Sequence, residues 1–228
     1  MSTNPELNPQ QIALKYAPLV HSIARRMISN PEIVKDATQE VWYEILKSLP
    51  SFRGKSQLST WIYQIASRVI LRYAQNERRY SMRVVDDFFS KDEIPVPSDV
   101  ETRLWLKEQC SQCFTAFLHC LDNEARLVFI LREISGLAYD EISGIILKEE
   151  AALRKTHSRS RAKIKNYMTD NCPIFNPEGK CRCRIKRHLA SSELLSEFQS
   201  LLSEVKSIEI FRIADIVIPL ENFWKKVS

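Results

Sequence analysis

Residues 36–70, DATQEVWYEILKSLPSFRGKSQLSTWIYQIASRVI, decide the fold of this chain. On both sides of the loop 49–56, apolar residues recur at spacings of three and four, which is the period of a helix with one buried face. Pro50 and Gly54 interrupt this pattern within the loop. The stretch therefore predicts two amphipathic helices joined by a loop, the second running from about Ser59 to Arg78.

The same helical spacing continues through most of the chain, and the alternation typical of strands is scarce. A short helix from Tyr139, a brief turn and a longer basic helix ending near Met168 have helix-turn-helix proportions. We therefore expect an all-α fold of two helical domains, a linker and an extension. These parts are a helical domain (8–80), a flexible acidic linker (81–100), a helix-turn-helix domain (101–169) and a small C-terminal extension (170–228).

Composition narrows the classes of function. The 228 residues include only 4 glycines, which stand singly, and neither GxGxxG nor GxxxxGK[ST] occurs, so the common phosphate-binding loops are excluded. No apolar run approaches the roughly 18 residues that span a bilayer. The N-terminus MSTNPELNPQ is polar, so we expect no membrane span, no secretory signal and a cytoplasmic location. The net charge of +5 is modest, so its placement matters more than its size.

Cations and aromatic rings gather around the start of the helix predicted over 59–78. The loop before it and one stripe of the helix carry Phe52, Arg53, Lys55, Ser56, Gln57, Trp61, Arg68, Arg72, Gln75 and Arg79. Rings on which bases stack, beside arginines that hold phosphates, suit single-stranded DNA. A solvated basic face with Trp61 half in the core fits the same residues, so the stripe alone leaves both interpretations open.

The last long helix, from Ala151 to Met168, has six basic residues and no acidic one. Its stripe is formed by Arg154, Ser158, Arg161 and Lys165, with Lys155 and Arg159 beside it. Such a helix can enter the major groove, where arginine reads guanine edges and lysine meets phosphates. The preceding YDEISGIILKEE (139–150) supplies a supporting helix and a turn, which favours duplex DNA binding over a solvated terminal helix.

A polar face on the helix before the loop carries Asp36, Gln39, Glu40 and Tyr43. Two carboxylates on one helix could serve acid-base or metal chemistry, but no ExxH motif accompanies them. A solvated or partner-facing surface is therefore the favoured interpretation.

Cys110, Cys113 and Cys120 share one helical stripe. Buried thiols behave as small hydrophobes, so we expect these three cysteines in the hydrophobic core, although Cys110 and Cys113 form a CxxC motif. Because no secretory signal is expected, the six cysteines of the chain are interpreted as reduced thiols or metal ligands and not as disulfides.

A second set, Cys172, Cys181 and Cys183, lies in a basic loop with His188 nearby. Three cysteines and a histidine could form a tetrahedral zinc site. Redox sensing, which surrounding cations favour, and a structural role without metal remain open alternatives. No other cofactor is expected.

Two segments resemble the extracytoplasmic-function (ECF) group of bacterial sigma factors. Residues 36–70 resemble the second conserved region of that family, with the marks DAxQEx-aromatic, LPxFRG and STWxYxIA in order. Residues 121–143, LDNEARLVFILREISGLAYDEIS, resemble the start of its fourth conserved region. The resemblance implies a non-enzymatic subunit that directs RNA polymerase to promoters and assists DNA melting.

The resemblance also implies a role for each matching residue. The DxxQE element of the family docks on the polymerase clamp, which assigns that contact to Asp36, Gln39 and Glu40. The minus-ten contacts fall on Phe52, Arg53, Ser56, Trp61, Arg68 and Arg72. The minus-thirty-five contacts fall on Arg154, Lys155, Ser158, Arg159 and Arg161. The implied partners are core RNA polymerase, through its β′ clamp and β flap, promoter DNA and an anti-sigma factor.

The sequence departs from the family pattern within the helix-turn-helix. Leu147 stands where the turn customarily has glycine, Lys148 follows where an apolar residue is usual, and His157 replaces a leucine of the last helix. A stand-alone helix-turn-helix regulator would use only the second domain and would leave the Trp61 stripe unexplained. A metal-dependent enzyme built on the C-terminal cysteines would lack a general base near them.

Overall fold

The computed structural model describes residues 8–77 and 115–171, together with Asn176, Glu178 and Gly179. Regular structure in these residues is entirely helical, which confirms the all-α prediction. The α-helices are α1 (Pro9–Met27), α2 (Pro31–Ser48), α3 (Leu58–Tyr73), α4 (Asn123–Phe129), α5 (Tyr139–Ile146) and α6 (Glu150–Asn171). The linker 81–100 and nearly all of the extension 170–228 lie outside the described residues.

Matching sequence signals start α1 and α2. Asn8 and Asn30 are the N-cap residues, and each side chain accepts a hydrogen bond of 2.9 Å from the backbone N–H two residues on. Pro9 and Pro31 follow in the first helical position, where the missing N–H has no intrahelical partner to lose. The Asn30-Pro31 pair therefore ends one helical run and begins the next.

Helix α3 ends earlier than its apolar spacing predicts. The α-helix stops at Tyr73 and a 3₁₀ turn follows over Ala74–Asn76, so the expected extension to Arg78 is wrong. The Ala74 carbonyl accepts the Glu77 N–H at 3.0 Å and the Asn123 side chain at 2.5 Å. These two donors occupy the carbonyl that an α-helix would have paired with the next turn.

The first helical unit, residues 8–77 with α1–α3, lies against the second unit, residues 115–171 with α4–α6. Helix α3 packs on α5, and α1 contacts α4, so buried residues of both units form one continuous cluster. Gln64 Nε2 donates to the Gly144 carbonyl at 2.8 Å, from α3 to α5. The guanidinium of Arg126 is fully buried and donates to the Met27 carbonyl at the end of α1, at 2.9 Å.

Within the second unit, α6 packs across the segment around Cys120. Lys163 Nζ donates to the Cys120 carbonyl at 2.6 Å, and the rings of Phe117 and Tyr167 lie 4.9 Å apart between centroids. Cys120 is buried, as the cysteine stripe predicts, whereas Cys110 and Cys113 lie outside the described residues. This packing fixes the direction in which α6 presents its basic face.

Candidate nucleic-acid interface

The loop between α2 and α3 pairs an aromatic ring with the start of α3. The Phe52 and Trp61 ring centroids are 5.1 Å apart with the planes tilted by 47°. Both side chains are partly buried, and Trp61 also packs against the core. Gly54, at a φ of +65°, turns the chain in a conformation that other residues rarely adopt. Both interpretations of Trp61 therefore stay open, because the ring contacts the core and keeps part of its surface exposed.

Exposed polar groups surround this aromatic pair. Arg53 and Ser56 are exposed in the loop, and Arg68 is exposed on α3, two turns beyond Trp61. Partly exposed rings next to cations provide stacking surfaces for bases and charge for phosphates. The loop and the outer face of α3 are therefore chemically suited to single-stranded nucleic acid.

Arg72, another of the predicted minus-ten contacts, has partners within the protein. Its Nη2 pairs with Glu40 Oε1 on α2, and its guanidinium lies over the Tyr73 ring at 5.9 Å. The Tyr73 hydroxyl donates to Glu40 Oε2 at 2.6 Å. This pairing was not predicted from the sequence, because 32 residues separate Glu40 from Arg72 and helical spacing relates only near neighbours.

The same contacts shift the acidities of two groups. The Tyr73 hydroxyl, more than any other group, lowers the pKa of Glu40 by donating to its carboxylate, and Arg72 adds to the effect. The pKa of Tyr73 is raised, first because its proton is held by Glu40. Glu40 is therefore an anion with both oxygens occupied by groups of α3.

The outer face of α2 brings two of the three predicted polymerase residues together with two apolar side chains. Asp36 and Gln39 are exposed on this face. Tyr43 is 61% exposed and Leu46 is 47% exposed, one and two turns further along the helix. Leu46 was missed from sequence, although its place off the buried stripe of α2 was a usable signal.

The turn between α5 and α6 takes the shape that its position in a helix-turn-helix requires. Leu147 has a φ of +60°, in the left-handed region where glycine is customary. Ser143 Oγ donates to the Lys148 carbonyl at 2.6 Å, and Lys148 Nζ pairs with Glu124 on α4 at 2.7 Å. These contacts hold the turn without glycine, and they leave the Leu147 side chain 86% exposed.

His157 occupies the usual leucine position of the last helix and is buried with polar partners. Its Nε2 lies 2.9 Å from Glu133 Oε1, and its Nδ1 is 2.7 Å from the Tyr139 hydroxyl. The Phe129 ring lies 5.9 Å away. His157 therefore still holds α6 against its neighbours, but through hydrogen-bonding partners where a leucine would pack by apolar contact.

The opposite side of α6 presents the predicted duplex-reading residues. All five are exposed: Arg154, Lys155, Ser158, Arg159 and Arg161. Two of them have protein partners, since Arg154 pairs with Glu150 at 2.9 Å and Arg161 Nε lies 3.8 Å from Glu133.

The Tyr139 ring adds a stacking contact that spacing did not predict. It lies between Arg132, at 4.7 Å, and Arg154, at 4.3 Å. The ring therefore steadies one arginine of the basic face by cation–π contact.

The proposed zinc ligands Cys172, Cys181 and Cys183 lie outside the described residues. Across 8–77, 115–171 and the three further residues described, no group of three His, Cys, Asp or Glu side chains is placed to hold a metal. No helix in the described part of the chain is both long and apolar enough to cross a membrane.

Comparison with known proteins adds independent findings. Residues 12–80 match the family described as sigma-70 region 2. The chain is 30% identical over 161 residues to the ECF RNA polymerase sigma-E factor of Escherichia coli strain K12, covering 68% of this chain and 83% of that relative. It is 29% identical over 140 residues to the RNA polymerase sigma factor YlaC of Bacillus subtilis strain 168, covering 60% and 79% respectively.

Among solved structures, the fold is similar to that of the sigma factor RpoE from Bartonella quintana, determined with the anti-sigma factor NepR. The TM-score is 0.51 at 21% identity, over 69% of this chain and 94% of that one. This likeness supports the fold, and the sigma-E relationship spans most of the relative's length. The chain belongs to the ECF family of RNA polymerase sigma factors and acts in transcription initiation.

Proposed function

We propose that this sigma factor divides promoter recognition between its two units. The loop before α3 captures bases of the minus-ten element, and α6 reads the minus-thirty-five element as duplex. The observation that supports this division is the presence of two different exposed basic surfaces. The loop before α3 carries the Phe52–Trp61 pair, with ring centroids 5.1 Å apart. The five predicted contacts on the exposed face of α6 are basic residues and a serine, with no aromatic ring among them.

Strand opening draws its energy from the aromatic pair and its neighbours. Extruding a base costs a few kcal/mol. Stacking on an aromatic side chain returns about 1–3 kcal/mol per base, and Arg53 and Ser56 stand exposed beside the pair to hold polar edges or phosphates. One or two captured bases therefore offset the unpairing cost at the minus-ten element.

Duplex recognition falls to the exposed face of α6. Arginine pairs with both acceptors of a guanine in the major groove, and each such contact discriminates by about 1–3 kcal/mol against the wrong base. Arg154 is the leading candidate because its guanidinium lies over the Tyr139 ring, 4.3 Å from the centroid, which positions it. Lys155 and Arg159, exposed beside the stripe, are suited to phosphates.

The two units must separate to do both tasks at one promoter. Helix α3 packs on α5 and α5 packs on α6, which puts α3 and α6 at most about two helix spacings, or about 20 Å, apart. The two promoter elements are centred about 25 base pairs apart, or roughly 85 Å at about 3.4 Å per base pair. The packed arrangement therefore represents the protein before it is seated on a promoter.

The exposed face of α2 is the proposed polymerase contact. Asp36 and Gln39 lie there with Tyr43, so one helix face offers an acid, an amide and an aromatic ring. The polymerase supplies all bond-making chemistry in this proposal, and the chain acts in the cytoplasm without a required cofactor. The Bartonella relative was solved with an anti-sigma factor, and we propose that a partner of that class regulates this chain too.

The cysteines of the extension remain a proposed zinc site. Metal analysis of the purified protein tests it, with wild type compared to a variant carrying serine at Cys172, Cys181 and Cys183. Bound zinc that disappears in the variant supports the site. Metal-free wild-type protein that directs transcription as well as the variant contradicts it.

The function is tested by reconstitution with core polymerase and a linear promoter template. Wild type should co-purify with core enzyme and redirect initiation, and Asp36→Lys should lose association while keeping its fold. Glu32→Lys is the matched control, because Glu32 is exposed on the same helix and pairs only locally with Lys35 at 2.9 Å. Duplex binding without polymerase, and no change in initiation, would indicate a stand-alone regulator. Intact association of Asp36→Lys would contradict the clamp assignment.

A further inference from the structure

Glu40 joins the proposed polymerase helix to the proposed DNA-melting helix. Its two carboxylate oxygens have different partners, both on α3: Arg72 Nη2 at Oε1 and the Tyr73 hydroxyl at Oε2, the latter at 2.6 Å. The Glu40 side chain is 34% exposed and that of Arg72 is 55% exposed. The cluster is therefore accessible from outside, and a partner can reach it.

This pairing conflicts with the separate tasks that the two residues are expected to perform. A phosphate that approaches Arg72 meets the carboxylate of Glu40 beside the guanidinium, and like charges repel. A cation on polymerase that approaches Glu40 competes with Arg72 for the same oxygen. Asp36 and Gln39 can meet polymerase without displacing Arg72, because both are exposed on α2, Asp36 one turn before Glu40 and Gln39 directly before it.

We propose that Glu40 is a positioning residue that withholds Arg72 from nucleic acid in the free protein and releases it when a cationic group of polymerase takes the carboxylate. Tyr73 keeps the carboxylate in place during the exchange, because its hydroxyl occupies the other oxygen. Polymerase binding thereby adds one cation to the DNA-binding face of α3. This inference rests on the proposed function and assigns it a coupling between its two partners.

The size of the effect follows from the exposure of the pair. Ion pairs at this level of exposure change an equilibrium by about two- to five-fold. Release of Arg72 should therefore strengthen DNA binding by a factor in that range, not by orders of magnitude.

The first test uses the full chain without polymerase and a fluorescein-labelled oligothymidylate as the single-stranded probe. Glu40→Gln keeps the side-chain shape and removes the charge, so its affinity for the probe should rise about two- to five-fold. Glu44→Gln is the matched control, since Glu44 lies one turn further on α2 and pairs with Lys47 at 3.9 Å instead of α3. Equal gains in both variants would show a general charge effect and overturn the proposal.

The second test asks whether the gain passes through Arg72. In an Arg72→Ala background, Glu40→Gln should give no gain, and a persistent gain would overturn the proposal. The single variant Arg72→Ala tests the proposal without any change at Glu40. It should change oligothymidylate binding little in the free protein and weaken it about two- to five-fold in the complex with core polymerase.

If Arg72→Ala weakens oligothymidylate binding equally in the free protein and in the polymerase complex, Arg72 is available without polymerase and the proposal is wrong. Thermal melting of each variant identifies any that fail to fold. Start-site selection by the wild-type complex, measured in parallel, separates failure of the Glu40–Arg72 coupling from failure of the proposed promoter function. If wild type directs initiation while the Arg72 arm fails, the coupling is wrong and the sigma assignment stands.

Discussion

Locking the two units together should abolish promoter use while leaving the fold intact. The lock is placed where Gln64 of α3 meets the Gly144 carbonyl of α5 at 2.8 Å. Gln64→Cys and Gly144→Cys, in a chain whose own cysteines are replaced by serine, are bridged with a short bis-maleimide. Gly144 tolerates the change, since a Cβ there meets nothing within 4 Å.

The expected magnitude follows from distance. A bridged protein holds α3 and α6 within about 20 Å of each other, whereas the two promoter elements require roughly 85 Å. No side-chain rearrangement covers a deficit of about 65 Å, so initiation from a promoter with both elements should fall to the level of core polymerase alone. A bridge that contains a disulfide should restore initiation when it is reduced.

The assay is single-round transcription with reconstituted complex, with gel mobility to confirm bridging and circular dichroism to confirm the helices. Each single-cysteine variant treated with the same reagent controls for modification, and should initiate normally. Full activity of the bridged protein would refute the claim that the packed units must separate.

Three further changes test other parts of the structure. Trp61→Ala should impair strand opening more than closed-complex binding, measured by permanganate reactivity and by mobility shift, with Phe52→Ala as a second probe of the pair; equal loss in both assays would indicate a folding role. Arg126→Met removes the buried donor of the Leu118, Leu121 and Met27 carbonyls. A buried acceptor left unpaired costs about 1–3 kcal/mol, so the free energy of unfolding in urea should drop by about 3 kcal/mol or more, and a drop below about 1 kcal/mol would contradict that role. Burial, with Arg126 adding to it, holds the pKa of His119 well below 6.5. The unfolded chain therefore binds the proton first, and the free energy of unfolding should fall by about 1.4 kcal/mol per pH unit below about 6.5; an identical pH slope in His119→Gln would rule this out.

Much of the fold could be predicted from patterns among residues close together in the sequence. The apolar period placed α2 and α5, because each of these helices buries one face and repeats that face every three to four residues. Leu147 was identified from sequence as standing where the turn customarily has glycine, and its φ of +60° shows that the left-handed geometry persists without glycine. Such features depend on neighbours in sequence, so one sequence can reveal them.

Features that depend on distant contacts were not predictable. Arginine is seldom fully buried, so nothing in the spacing marked Arg126 as the residue that ties the second unit to the end of α1. Both Glu40 and Arg72 were identified as functional residues, but their pairing depends on how α2 crosses α3. The early end of α3 likewise depends on Asn123, which is 49 residues from the carbonyl it binds.

The most direct measurement maps the 5′ ends of transcripts made from genomic DNA by core polymerase with and without the purified chain. We expect a new set of start sites that share sequence elements near minus ten and minus thirty-five. Arg154→Ala should relax preference at the upstream element alone, and Trp61→Ala should reduce use of the whole set. An unchanged set of start sites, with folded protein bound to the polymerase, would contradict the account.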